Sequence, residues 1–533
     1  MTDIEIPYAK DRSFRYLFFE KLPGVVSWSI LLSPFILSVI APNALVYAFI
    51  VYLLIWFAKA VGMNVRVIEG WRTLQKQQKM DWPQLLKELE AGEVTDPNVD
   101  RPKWHYENLL RTQVQPLKIK PSEVIHAIII ASYNESREII EPTVQSVLNS
   151  KYDMDKVILV FAYEGRDGAQ CEETVLALVK KYGSQFKHTF AMKHPLTPDE
   201  VRGKGPNINY AGRALQKYIA EQQIDPMHVL VTTLDADNRP HVNYLPALTY
   251  TFAVSPNPLH TSYQPVTLYT QNIWDVPAPM RVIATGNSFF QVVAAMRIHA
   301  LRNFSAHAQP LAALIETDFW SARTVVEDGH QFWRSYFTFD GKYEVYPIFA
   351  PIYQDAVLAA TLRKTFKAQF LQLRRWAWGC TDIAYVAEMG FFRKNKVNKF
   401  DLIAKFWRLF EGHVSWATAA LLVAVTAWIP EFFHPNSYAA NQLPIVARNI
   451  ETVALGGIVL TFFLSILLLP PKPARYKAHR HFWMTIQWVY LPFTTIIYNG
   501  MSSLVAQTRL LFGRYFDVFD VTDKAVKTDK PKK

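Results

Sequence analysis

The sequence predicts an α/β domain built on a mostly parallel sheet and flanked by transmembrane α-helices. Three observations predict it. Mean hydropathy is +0.01, too apolar for a typical soluble chain and too polar for one made only of membrane helices. Leu22 to Ala58 contains no Asp, Glu, Lys or Arg, nearly twice the run of about 20 apolar residues that a spanning helix needs. Between about residues 62 and 410, short apolar runs alternate with helical patterns, as in βα units.

Composition excludes several classes. Of 533 residues, 50% are hydrophobic, 14% aromatic and 19% charged, which is not the composition of a disordered chain. Gly (20) and Pro (32) are too few for a collagen-like or low-complexity protein. The two cysteines, Cys171 and Cys380, cannot make a disulfide scaffold or a Cys-rich zinc module. The net charge of +11 suits nucleic acid, anionic membrane or anionic small molecules, and its placement decides among them.

The uncharged run holds a turn signal, Ala41-Pro42-Asn43, so it reads as two spans, about 22–41 and 44–60, in a tight hairpin. A buried soluble hairpin is the bland alternative. His413–Pro430 and Thr452–Pro470 read as a third and a fourth span. Basic residues cluster before the first span (Lys10, Arg12, Arg15, Lys21) and after the second (Lys59, Arg66, Arg72). They recur before the third (Lys399, Lys405, Arg408) and after the fourth (Lys472, Arg475, Lys477, Arg480). All these flanks fall on one side, which the positive-inside rule makes cytoplasmic. The charge then reads as topology and contact with membrane lipid, not as a nucleic-acid surface. Phe482–Phe512, broken by Pro492, reads as an interfacial or re-entrant helix with Trp483, Trp488 and Tyr490 at headgroup level; a fifth span is the alternative. The division expected is an N-terminal hairpin (1–61), a cytoplasmic domain (62–410) with interfacial helices near 360–410, a helix pair (411–471), and a C-terminal segment (472–533).

Within the domain, Ile125–Ala131, Val157–Ala162 and His228–Leu234 read as buried strands, and Glu138–Leu148 and Glu172–Tyr182 as helices. Parallel sheets gather ligands at the carboxyl ends of their strands. There the chain places Ser132-Tyr133-Asn134-Glu135, then Glu164-Gly165-Arg166-Asp167-Gly168, then Asp235-Ala236-Asp237. Two carboxylates two residues apart at a strand end suit a divalent ion that also binds a diphosphate, although a solvated turn has the same composition. Glu327-Asp328 suits a general base or an acidic pair at a helix N-terminus. Gln372-Leu373-Arg374-Arg375-Trp376 offers Arg for diphosphate oxygens and Trp as a floor for a sugar ring, or a plain interfacial helix. Gly203-Lys204-Gly205-Pro206-Asn207-Ile208-Asn209 suits a flexible phosphate-contacting loop, though not a Walker A loop. Phe519-Asp520-Val521-Thr522-Asp523-Lys524 alone would be a strand or a loose end.

Taken in order, these motifs resemble the membrane-embedded family 2 glycosyltransferases, the group of bacterial cellulose synthase and hyaluronan synthase. The resemblance covers about residues 120–525. It implies a GT-A nucleotide-sugar domain held between membrane helices of the plasma membrane. It implies Asp235 and Asp237 as ligands of Mg²⁺ or Mn²⁺ and the donor diphosphate, and Asp328 as catalytic base with Glu327 beside it. Ser132, Tyr133, Glu135, Glu164, Lys204 and Asn209 would contact the nucleotide sugar, a UDP-sugar by preference. Gln372, Arg375 and Trp376 would form the diphosphate and acceptor platform, and Phe519, Val521, Thr522 and Lys524 a gating loop. The chain departs from the family at Tyr163-Glu164-Gly165, where an Asp-rich turn is usual, and at Val326, where Thr is usual. The implied reaction is inverting transfer to a growing polysaccharide, with an accessory subunit or oligomer as a partner. The competing readings are single-sugar transfer to a lipid or short acceptor, and a transporter or membrane scaffold with an inactive domain.

Overall fold

The computed structural model describes residues 4–516, apart from 97, 166–168, 196, 199 and 478. The motif at Phe519, Val521, Thr522 and Lys524 lies outside the described residues, as does Arg166-Asp167-Gly168.

Among the described residues, eight strands form one mixed sheet in the order β3-β2-β1-β4-β7-β6-β8-β5. They are β1 (Ile125–Ser132), β2 (Val157–Glu164), β3 (His188–His194), β4 (Val229–Asp235), β5 (Arg239–Pro240), β6 (Thr261–Leu268), β7 (Ala308–Pro310) and β8 (Glu344–Tyr353). β3, β2, β1 and β4 run parallel. β7 is antiparallel to both β4 and β6, β6 is parallel to β8, and β5 is antiparallel to β8. The strands expected from sequence are present, and the third ends at Asp235.

β1, β2 and β4 are buried on both faces, which is why each reads as a continuous apolar run, whereas β3 at the sheet edge is mostly half-buried. Side chains alternate across the sheet. Ile128 and Ile130 of β1 pack on one face with Ile140 and Val144 of the Arg137–Leu148 helix. Ala127 and Ile129 pack on the other with Ile208, Ala211 and Leu215 of the Lys204–Glu221 helix.

Among the described residues, three helices are long and apolar enough to cross a membrane: Phe14–Ile40, Pro42–Gln78 and Lys399–Phe433. The fourth expected span falls on the Tyr438–Leu467 helix, which packs along Pro42–Gln78 through Val46, Phe49, Leu53, Leu443 and Ala447. Two expected boundaries fall inside continuous helices. The second apolar run does not stop near 60; its helix continues unbroken to Gln78, where Leu74 packs with Val266 and Leu268 of β6. Helix-favouring residues beyond Lys59 carry it on, because charge ends a membrane segment without ending a helix. Likewise Lys399–Val425 crosses residue 410 without a break.

Phe482–Phe512 is helical in pieces, with a π-helical stretch at Thr495–Met501 followed by the Ser502–Leu511 helix. Gln507 is buried between two of the long apolar helices. It accepts from Ser27 Oγ (2.6 Å) and donates to the His413 carbonyl (2.8 Å). One aromatic placement is corrected. Trp483 and Tyr490 are exposed, but Trp488 is buried with Val67, Val282, Phe289 and Val293. Its ring faces the Ala278–Ala295 helix of the domain and does not lie open to a headgroup layer.

The long helix meets the domain closely at Gly70. A Cβ there would stand 2.4 Å from Val292 Cγ1 and 3.0 Å from Met296 Cγ. Gly70→Val should therefore cost about 1–3 kcal/mol, seen as a lower thermal midpoint in detergent; an unchanged midpoint would refute this close approach.

Candidate active site

The carboxyl ends of β1, β2 and β4 bring the expected motifs to one edge of the sheet. Asp235 is the last residue of β4. The turn after it is closed by Asn238 N–H on the Asp235 carbonyl (3.0 Å), and Thr143 Oγ1 pins the Ala236 carbonyl (2.7 Å). Asp237 is 7% exposed.

Glu327 and Asp328 are the first two residues of the Glu327–Thr338 helix. The pair thus stands as acidic residues at a helix N-terminus, where the helix dipole favours carboxylates. The loop ahead of them is braced from the N-terminus. Glu5 accepts from Ser321 Oγ and from Arg334 Nη1 (3.0 Å), and Arg334 also donates to the Thr317 carbonyl (2.9 Å).

Gly203–Asn209 is not a flexible loop. A helix begins at Lys204 and runs to Glu221, and Gly205 lets it dock, since a Cβ there would stand 2.6 Å from the Ser321 carbonyl oxygen. This close approach delivers Lys204 into the carboxylates. Its Nζ stands 3.0 Å from Asp235 Oδ1, 3.2 Å from Asp328 Oδ2 and 3.9 Å from Glu327 Oε1. It also lies 3.4 Å from Ser305 Oγ, which donates to Asp235 Oδ2 at 2.7 Å.

Burial sets the electrostatics. Desolvation works against the Lys204 ammonium, but Asp235, Asp328 and Glu327 outweigh it and hold the lysine above its ordinary range. Glu327 is pushed up from the usual carboxyl range, first by burial and then by the charge of Asp328; Lys204 and Arg375 offset this only in part. Two adjacent carboxyls thus differ in environment, the arrangement that separates acid from base roles.

The Leu362–Ala377 helix carries Gln372, Arg375 and Trp376 to the same place. The charge of Arg375 acts on both Glu327 and Tyr269. Gln372 accepts from Gln369 Nε2 (3.1 Å), and Trp376 packs against Tyr269 with ring centroids 6.0 Å apart. Tyr269, just past β6, was not found from sequence. It feels Asp235, Asp237, Arg375 and Asp328 together, and burial holds its phenol above the ordinary range. A lone Tyr after a strand carries no signal until the sheet is closed.

The nucleotide-contact candidates divide. Ser132 is buried at the end of β1, and the Tyr133 N–H donates to Glu135 Oε2 (2.7 Å). Glu164, at the end of β2, lines a small cavity with His194, Glu200 and Pro206. Asn209 is turned away: its amide donates to the Trp320 carbonyl and accepts from Arg213 Nε. One half-turn earlier, Asn207 ties the strand ends together by donating to the Ala162 carbonyl (2.8 Å) and the Ser132 carbonyl (3.4 Å). The helical period explains the exchange: as a loop, 207 and 209 are equivalent; on a helix, only Asn207 faces the sheet.

Among the described residues, no group of three or more His, Cys, Asp or Glu side chains forms a metal cluster. The donor set at Asp235 and Asp237 still suits Mg²⁺ or Mn²⁺. Such ions are held by one or two carboxylates plus substrate phosphates.

No known family model matches the chain, and no curated protein does. Among solved structures it is similar to the mannosyltransferase PcManGT from Pyrobaculum calidifontis in complex with GDP-Man and Mn²⁺, at 14% identity and a TM-score of 0.39 over 85% of this chain and 100% of that one. It is also similar to S. aureus TarS 1–349 in complex with UDP-GlcNAc, at 12% identity and a TM-score of 0.34 over 74% of this chain and 93% of that one. Likenesses this slight do not carry a function across.

Lys204→Met would leave Asp235, Glu327 and Asp328 without their shared cation, at an expected cost of about 3 kcal/mol. Glu327 binds its proton more tightly folded than unfolded, so its contribution is present at low pH and lost as pH rises through the raised folded value. Removing Lys204 raises that value further. Denaturation at pH 6 and pH 8 should show the larger loss at pH 8; equal losses would refute the electrostatic account.

Proposed function

We propose that this chain is a membrane-bound inverting glycosyltransferase that moves a sugar from a nucleoside-diphosphate sugar, a UDP-sugar by preference, to a saccharide acceptor. The observation that carries the reading is the convergence of Asp235, Glu327, Asp328 and Lys204 at the carboxyl edge of a parallel sheet, with Arg375 and Trp376 beside them.

Asp328 takes the proton from the acceptor hydroxyl. The hydroxyl oxygen bonds to the anomeric carbon from the face opposite the leaving group, and the bond from that carbon to the diphosphate breaks. The nucleoside diphosphate departs with the bonding pair. Lys204 and Arg375 meet the charge that develops on it. Glu327, held toward its protonated form, adds little repulsion to the incoming phosphates. Asp235 and Asp237 are the residues that would hold a divalent cation, which when bound supplies charge neutralisation to the diphosphate. Trp376 and Tyr269 offer faces against which a sugar ring can stack.

Growth of a polymer, and passage of the product into the membrane, fits the position of this platform. The Leu362–Ala377 helix packs against Ser502–Leu511, which packs in turn on Phe14–Ile40 and Lys399–Val425. The acceptor floor thus lies one helix away from the apolar bundle. With basic flanks on the same side as the domain, the site would face the cytoplasm at the plasma membrane.

Two outcomes are expected from purified protein with Mn²⁺ and a panel of UDP- and GDP-sugars. Asp328→Asn should lower transfer by about 10²–10⁴-fold while donor binding by calorimetry stays near wild type; wild-type turnover would sink the assignment. Asp235→Ala with Asp237→Ala should remove the Mn²⁺-dependent part of nucleotide binding, and unchanged binding would argue against a cation there.

A further inference from the structure

His307 precedes β7 and is fully buried beneath the carboxylate cluster. Nothing in the sequence singled it out. Its two ring nitrogens have different neighbours. Nε2 stands 3.2 Å from the indole Nε1 of Trp320. An indole N–H can only donate, so Nε2 must accept, and the proton of the neutral ring resides on Nδ1. Nδ1 stands 2.9 Å from the Phe304 carbonyl oxygen and 3.5 Å from Asp328 Oδ1. Burial keeps the imidazole below its ordinary range; Asp328 offsets this only in part, and Lys204 adds to it. The neutral ring gives its one Nδ1–H to the Phe304 carbonyl, with Asp328 Oδ1 as the longer, second neighbour of that same N–H. Asp328 Oδ2 faces Lys204 at the same time. The carboxylate thus has a charged donor at one oxygen and, 3.5 Å from the other, an N–H that it shares with the Phe304 carbonyl.

We propose that His307 is a positioning residue for Asp328: its Nδ1–H fixes the rotation of the carboxylate toward the acceptor hydroxyl, and Trp320 acts one step further out by fixing the tautomer. This rests on the glycosyltransferase reading. In the structure the Nδ1–H is held chiefly by Phe304; the role requires the 3.5 Å contact to tighten at the expense of that bond when the acceptor is bound, as catalytic hydrogen bonds often do. A charged partner in the place of His307 would pair with Asp328 and oppose its uptake of a proton. A neutral donor orients the carboxylate and leaves it basic.

Three variants test this. His307→Gln keeps an acceptor toward Trp320 and loses the donor toward Asp328. His307→Asn keeps an N–H near the Nδ1 position. Trp320→Phe frees the tautomer. The expected results are a fall in kcat of about 10–100-fold for His307→Gln, an unchanged donor KM, and an acid limb of the pH profile moved upward, since the carboxylate loses a donor. His307→Asn should recover most of kcat. With active wild type, unaltered kcat and pH profile in His307→Gln would overturn the role, as would equal losses in His307→Gln and His307→Asn tracking a lower unfolding midpoint. A second readout needs no turnover. Imidazole ¹⁵N shifts, assigned to His307 by their loss in His307→Gln, should report the Nδ1–H tautomer in wild type and a mixture in Trp320→Phe; a dominant Nε2–H form would overturn the geometry. Wild type that transfers no sugar from any donor would overturn the enzyme reading, and with it this role, whatever the tautomer.

Discussion

The Lys204 ammonium, nearly sealed from water among Asp235, Asp328 and Glu327, is the interaction on which the rest of the site depends. The four groups come from three parts of the chain: Asp235 from the end of a strand, Glu327 and Asp328 from the first turn of one helix and Lys204 from the first turn of another. Without the lysine, the carboxylates of the strand end and of the Glu327–Thr338 helix would repel one another where they now meet. With it, the ends of β4, the Lys204–Glu221 helix and the Glu327–Thr338 helix are drawn to one point. Burial makes the attraction strong, because there is little solvent to screen it. The same burial makes the arrangement brittle, which explains why the surrounding backbone is so heavily pinned: by Thr143 on the Ala236 carbonyl, by Glu5 on Ser321 and Arg334, and by Gly205 against the Ser321 carbonyl.

An ion cluster of this kind also differentiates chemically similar groups. Asp235 is partly exposed and bonded to a lysine and a hydroxyl. Glu327 is buried and held toward its neutral form. Asp328 lies between them and is flanked by Lys204 and His307. Three carboxyls on adjacent elements thus have three electrostatic surroundings. Division of labour among carboxylates needs such asymmetry, and here it comes from depth and from which donors reach each oxygen.

Much of this was legible in the sequence. The apolar runs of β1, β2 and β4 named the strands, and strand position made Asp235 and Asp237 worth noticing. Glu327-Asp328 and Gln372–Trp376 were noticed as short strings, and the fold brings them to the same edge. Other features were not legible, for identifiable reasons. Gly203–Asn209 has the composition of a loop, yet the close approach made by Gly205 lets it start a helix, and helical phase then exchanges Asn209 for Asn207. The helix runs on past residue 60 to Gln78 because a change from apolar to charged residues need not end a backbone helix. Tyr269, His307 and Ser305 stand singly in sequence, with no spacing to betray them; only the closing of the mixed half of the sheet brings them under the carboxylates. Trp488 was assigned to an interface by residue type, and packing against the domain decided otherwise.

The Pro42–Gln78 helix has a mechanical consequence. It is 37 residues of continuous helix, roughly 55 Å long at 1.5 Å per residue. One half is the apolar length beside Tyr438–Leu467, and the other is bolted to the domain, at Gly70 against Val292 and Met296 and at Leu74 against β6. A rod anchored at both ends acts as a ruler. On the proposed membrane reading it would set the stand-off between bilayer and carboxylates, and a tilt of the hairpin would appear as a lift or swing of the sheet edge. Bilayer thickness would then be a variable that the carboxylate edge can feel.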